Sequence, residues 1–212
     1  MKNIFPTFTT LAGACLFVLL SCSCKEKGPN LTLVFKDNFN RKVLGSNWYV
    51  QGGDWRIKDG AAHSTLAQNR NLVLKGVKLP DNAVIELVMW SESKAVDIKF
   101  NAWGDGKIHE HGDGYSFILG GWHDRISVIS RLNEHEPERA EDRSANWLPN
   151  KRYKCKVVRL GSDITWYLDE KKFLYRKDQN PLTASMGYNY FSFGNWRSSV
   201  FFDDLRIYRI DD

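Results

Sequence analysis

Between Thr32 and Tyr208 the chain alternates apolar and polar side chains with a period of two, in short runs bounded by turn residues, and this pattern excludes a helical fold. Successive side chains of a strand point to opposite faces of its sheet, so such runs bury one face and wet the other. Ten runs show it: Thr32–Lys36, Asn71–Lys75, Ala83–Trp90, Val96–Trp103, Gly114–Leu119, Arg125–Arg131, Arg152–Val158, Ile164–Leu168, Tyr190–Phe193 and Val200–Tyr208. They predict an all-β protein, a two-sheet antiparallel sandwich around one core. Leu160-Gly-Ser-Asp163 has turn chemistry, and Asp169–Lys172 predicts a hairpin into Phe173–Tyr175. The charged stretch from Glu134 to Asn146 reads as a surface loop, with room for a helical turn, beside the functional face.

The N-terminus has a different character. Lys2 precedes an apolar run, Leu11–Leu20, that is about half the roughly twenty residues a membrane-crossing helix needs, and Lys25-Glu-Lys27 does not extend it. It reads as the hydrophobic region of an export signal. Leu19, Ser21 and Cys22 resemble the cleavage site of a bacterial lipoprotein, which implies a diacylated Cys22. Cys24 is a rival anchor with Ser21 in place of the aliphatic residue, and an ordinary secretory signal or a small buried helix are the other readings. The expected organisation is a signal peptide over 1–21, a flexible polar tether over 22–30 and one sandwich domain over 31–212. Ser23, rather than Asp, follows Cys22, which in lipoproteins implies the outer membrane; the expected location is the bacterial cell envelope, with the membrane reached through the N-terminal lipid.

Export accounts for three of the four cysteines, because Cys15 leaves with the signal, Cys22 carries lipid and Cys24 lies in the tether. Cys155 alternates with Tyr153 and Val157 and reads as a buried, unpaired thiol, which excludes a disulfide scaffold. The formal charge of +5 is spread among interleaved acids and bases, so no nucleic-acid partner is expected.

Three segments resemble the concanavalin A-like lectin/glucanase superfamily in its laminin-G-like jelly-roll branch: Asp37–Trp48 with Gly53–Gly60, Trp147–Asp169, and Pro181–Ile207. The resemblance implies a concanavalin A-like jelly roll and a polysaccharide or oligosaccharide partner. Its members include sugar-binding modules, laminarinase-type glycosidases and bacterial 3-keto-disaccharide hydrolase-type domains. The laminarinase signature Glu-x-Asp-x-x-Glu is absent; Glu86 to Glu92 keeps an acid at each end without the aspartate between. The superfamily also implies a structural calcium ion near the closing strand, where Asp203 or Asp204 stands and Asp203 is the expected ligand.

Trp48, Trp55 and Trp166 read as core, whereas Trp90, Trp103, Trp122 and Trp196 lie at strand ends or beside glycine, where a ring can stack on sugar C–H groups. Four of the five histidines fall between His109 and His135. The expected catalytic group is His109, Glu110, His111, Asp113 and His123, able to bind a divalent metal or act as general acid and base; a solvated loop is the alternative. Trp103, Trp122, Arg131, Asn133 and Trp196 are the expected substrate contacts, with Arg131 able to pair with a uronate or with Glu134 or Glu136. Three functions follow: a lipid-anchored glycan-binding protein, a glycoside-cleaving enzyme, or a structural envelope interaction domain.

Overall fold

A computed structural model describes residues 29–144 and 146–211; the expected signal peptide, the lipidation site Cys22 and most of the expected tether lie outside the described residues. Within them, fifteen strands form two antiparallel sheets. In chain order they are β1 (Leu31–Asp37), β2 (Trp48–Val50), β3 (Arg56–Lys58), β4 (Ala61–Ser64), β5 (Leu72–Leu74), β6 (Ala83–Ser91), β7 (Ile98–Gly104), β8 (Tyr115–Gly120), β9 (Ile126–Arg131), β10 (Ala140–Asp142), β11 (Tyr153–Leu160), β12 (Asp163–Leu168), β13 (Lys171–Lys177), β14 (Tyr190–Gly194) and β15 (Val200–Ile210). The first sheet runs β13-β12-β11-β6-β15-β4-β3, with β1 also on β15; the second runs β10-β9-β8-β7-β14-β5-β2.

All ten predicted runs are strands, and the alternation explains how they pack. In β11 the side chains of Tyr153, Cys155, Val157 and Arg159 are buried while Lys154 and Lys156 are exposed. The two sheets meet through aromatic contacts: Phe193 of the second stacks on Phe202 of the first at 4.2 Å, and Phe100 meets Trp166 edge-on at 6.1 Å. The predicted hairpin closes through Asp169 and Glu170, whose φ values of 48° and 69° fit a two-residue turn matched to strand twist. Cys155 is a buried free thiol that accepts a hydrogen bond from Trp166 Nε1 at 3.0 Å, and burial pushes its pKa up.

The outer face of the second sheet positions the functional site. Across β5, β14, β7, β8 and β9 the register aligns Val73, Ser192, Asn101, Ser116 and Ser130 in one row, all buried. Ser116 donates to Asn101 Oδ1 at 2.7 Å and Asn101 Nδ2 to Ser192 at 3.2 Å, which lets small polar side chains lie under a covering loop. Gly112 belongs to that cover: a Cβ there would come within 2.7 Å of Ser116 Oγ. The next row, Gly194, Lys99, Ile118 and Val128, opens into a cleft.

Candidate functional site

The cleft encloses about 990 Å³ over this second row, between the connections before β5, around β7 and β8, and after β9 and β14. Lys99 stands at its floor because alternation in β7 sends Ile98 and Phe100 into the core and Lys99 outward. Gly194 makes room for it, since a Cβ there would lie 3.2 Å from two carbons of the lysine stem. Only 5% exposed, Lys99 donates to Asn69 Oδ1 at 2.5 Å and to Glu134 Oε2 at 2.8 Å. Asn69 in turn donates to the Glu110 carbonyl at 2.7 Å, so one buried ammonium ties three connections together.

Asp97 enters the same cleft half-buried, and that burial pushes its carboxyl up to about 6; Lys99 opposes the shift while Glu134 and Asp124 add to it. Because the folded value lies above the unfolded one, the stability this carboxyl contributes is fully present below about pH 4 and lost as pH rises through about 6. Asp97→Asn keeps the neutral shape at every pH. Its thermal midpoint relative to the parent chain is expected to climb between about pH 4 and pH 6 and then level off, as read by calorimetry; a gap independent of pH would place Asp97 in water.

One wall is a left-handed turn. Trp122, His123 and Asp124 have φ of 52°, 63° and 62°, a conformation that costs a non-glycine residue roughly 1–2 kcal/mol. Asp124 offsets part of this by accepting the Val96 amide at 2.7 Å. The turn holds the Trp122 ring between the Arg139 guanidinium, 4.8 Å from its centroid, and the His135 ring at 5.6 Å. Such strain gathers at sites where a side chain must be aimed. Across the cleft Trp196 is 44% exposed, with Arg197 5.1 Å from its ring centroid.

The structure divides the expected catalytic group. Glu110, His111 and His123 line the cleft, whereas His109 and Asp113 do not. His109 Nε2 bonds Asp105 Oδ1 at 2.9 Å, and the buried Asp113 accepts the amides of Asp105 and Gly106 at 2.7 and 3.1 Å. Burial raises the Asp113 carboxyl to about 6, and Gly104 is obligatory beside it, since a Cβ there would come within 2.3 Å of its oxygen. These two residues shape the covering loop.

Among the expected substrate contacts, Trp122 and Trp196 line the cleft, and three others need correction. Trp103 is fully buried, with Nε1 donating to the Pro80 carbonyl at 2.8 Å, so it presents no ring face to a ligand. Arg131 pairs with Asp178 at 2.9 Å and with the Asn180 carbonyl, away from the cleft; Glu136 takes its backbone amide rather than its guanidinium. Asn133 accepts the His135 amide at 2.8 Å and shapes that turn. Trp90 is also buried, stacked on Phe201 at 4.8 Å.

Beside Asp203, the one aspartate expected to join backbone carbonyls around calcium, the side-chain oxygens are few and partly engaged. Asp203 Oδ1 accepts the Asp204 amide, and Asp37, the first-strand carboxylate whose charge reaches it, is filled by Arg41, Trp48 and the Phe39 amide. Calcium takes about 6–8 oxygens. Among the described residues Asp203 joins no group of three or more side-chain ligands, and no role is built on the ion.

Asp97, Lys99, Asn69 and Arg197 are cleft residues that sequence reasoning did not single out, and His135, whose triplet Glu134-His-Glu136 reads as solvated surface, lines the cleft with them. A lysine and an asparagine in the otherwise apolar run Ile98–Ala102 were the available signal for a polar outer face.

No family model and no curated protein matches the sequence. Solved structures do match. The laminarinase from Rhodothermus marinus is similar with a TM-score of 0.61 at 12% identity, over 88% of this chain and all of that one. The carbohydrate-binding module CBM66 from Bacillus subtilis gives 0.58 at 13%, over 76% of this chain and 94% of the module. The chain has the concanavalin A-like jelly-roll fold. An endo-acting O-glycanase of the human gut microbiota shares this jelly roll, with a TM-score of 0.60 at 11% identity over 85% of this chain and all of that one. Glu86, the first acid of the near-match to the laminarinase signature, stands on β6 of the first sheet, whereas the cleft of this jelly roll lies on the second.

Proposed function

We propose that the protein is a lipid-anchored component of the bacterial cell envelope, on the outer membrane, that holds a glycan in this cleft. The exposed Trp196 ring beside the buried charges of Lys99 and Glu134 carries the reading. A sugar ring needs an aromatic face for its C–H groups and fixed donors and acceptors for its hydroxyls. Trp196 supplies the first, with Asp97, Glu110, Arg143 and Arg197 for the second. The carbohydrate-binding module from Bacillus subtilis, which shares the fold, supports this reading. So does the lipoprotein-like Cys22, which would tether the cleft where envelope polysaccharide is met. On a glycan array followed by titration calorimetry, one ligand class is expected to bind, and Trp196→Ala should weaken it at least about tenfold, a loss of roughly 1.4 kcal/mol. Equal binding by the variant would remove the cleft from recognition, and an array with no ligand would favour the envelope interaction domain.

A second reading, glycoside cleavage, is supported by Asp97. A half-buried carboxyl raised to about 6 is the group a general acid requires. Turnover of a glycoside or 3-keto-glycoside that Asp97→Asn abolishes, with binding retained, would select this reading.

A further inference from the structure

We infer that His111, Glu134 and His135 form a binding site for a divalent transition-metal ion at the edge of the cleft. Each offers one ligand atom, and the three atoms lie within 4.8 Å of one another. The chemistry suits such an ion: two neutral imidazoles and a carboxylate are donors that zinc and its neighbours take, and three protein ligands leave a position open.

Two independent features show that these atoms are held ready. First, neither imidazole is hydrogen-bonded to another described residue, and Glu134 spends only Oε2, on Lys99. Its Oε1 stands 3.7 Å from His135 Nε2, beyond hydrogen-bond range. Second, the surroundings hold the backbones that carry the ligands together. The Glu134 amide donates to the His111 carbonyl at 2.7 Å, joining the two ligand-bearing connections through their backbones. Trp122 packs edge-on against the His135 ring, and the two histidine rings meet at 5.2 Å with their planes 72° apart. Lys99 orients the Glu134 carboxylate through Oε2 and leaves Oε1 free, and Asn133 accepts the His135 backbone amide and so shapes the turn that carries that ring.

A tetrahedral ion with bonds of about 2.0–2.1 Å sets its donors about 3.3 Å apart. Both histidines are exposed, so rotation of their side chains closes that difference without moving the strands. The other such cluster among the described residues, Asp105, His109 and Asp113, is already engaged in hydrogen bonds that shape the covering loop to which it belongs. The open position of the His111 site faces the cleft, where it would take water or a ligand oxygen; only this last consequence rests on the glycan reading.

The test uses the full chain, purified in detergent and stripped with a chelator, titrated with zinc(II) in a calorimeter and with cobalt(II) by visible absorption. One ion per chain is expected, with the intense bands of four-coordinate cobalt. His111→Ala and His135→Ala should each weaken zinc at least about 100-fold with the far-UV circular dichroism unchanged, while His109→Ala keeps the parent affinity. Absence of saturable binding, or an equal loss in His109→Ala, would overturn the site. Because the metal alone is the probe, failure here leaves the glycan reading standing.

Discussion

Replacing Trp166 by alanine is expected to lower the unfolding free energy by about 3–5 kcal/mol, the largest loss anticipated for any single truncation in the sandwich. Trp166 has no exposed surface and meets three phenylalanines edge-on: Phe173 at 5.2 Å, Phe117 at 5.7 Å and Phe100 at 6.1 Å. Phe100 and Phe117 belong to the second sheet and Trp166 to the first, so this one ring contributes to the cohesion of both layers. Each aromatic pair adds about 0.5–1.5 kcal/mol beyond area burial, and the cavity left by alanine adds further cost because sheets relax poorly. Guanidinium unfolding followed by circular dichroism measures the effect. Trp196→Ala, at the exposed end of the same residue type, should change stability by no more than about 0.5 kcal/mol. A loss below about 1 kcal/mol for Trp166→Ala would mean that the two sheets are held together elsewhere.

Trp166 also marks what the sequence made legible. It lies in Ile164–Leu168, where alternation alone assigns an inward face, and the same rule located ten strands and Cys155. The rule fails where both faces are covered, or where pairing partners, rather than side-chain pattern, make the strand. β4, Ala-Ala-His-Ser, is buried at every residue because both its faces are covered, Ala62 by the core and Ala61 and His63 by Trp90 and Phe201 on the outer side, so it has no wet face to alternate with. β10 is three residues in a charged stretch and exists because β9 offers it an edge. Neither leaves a period-two trace.

The site was partly legible for a related reason. Sequence can show that histidines cluster, but His109 and His111 diverge because a covering loop packs one against Asp105 and turns the other toward Glu134 and His135. Trp103 and Trp196 looked alike beside glycine. A φ of 53° in Trp103 and the Pro80 carbonyl draw the first ring into the core, which only long-range packing decides. Lys99 was not singled out: alternation with Ile98 and Phe100 implies only an outward position, and its burial depends on loops from other parts of the chain closing over the sheet.

That burial makes the Lys99–Glu134 pair the second large prediction. Their side chains are 7% and 13% exposed, so the pair is held where an unpaired charge is costly. Glu134→Gln removes the negative partner with little change of shape, and the expected loss is about 3–5 kcal/mol, most of it the penalty of an uncompensated ammonium rather than the worth of the contact. Lys99→Met deletes the ammonium and buries an apolar chain of similar length, so the double variant should recover most of the stability lost in Glu134→Gln. A double-mutant cycle in denaturant therefore predicts a coupling of at least about 1.5 kcal/mol, and a value under about 0.5 kcal/mol would show that water screens the pair. The cycle also separates the two functions that meet at Glu134. Lys99→Met frees Oε2 of the carboxylate and removes a neighbouring positive charge, so zinc binding at His111, Glu134 and His135 should hold or strengthen. Glycan binding should fall in the same variant, because the ammonium that fixes Asn69 and the Glu110 loop at the cleft floor is gone. Opposite movements of the two affinities in one folded variant would make Glu134 the hinge between them, whereas parallel losses would reduce Lys99 to a structural support for the cleft.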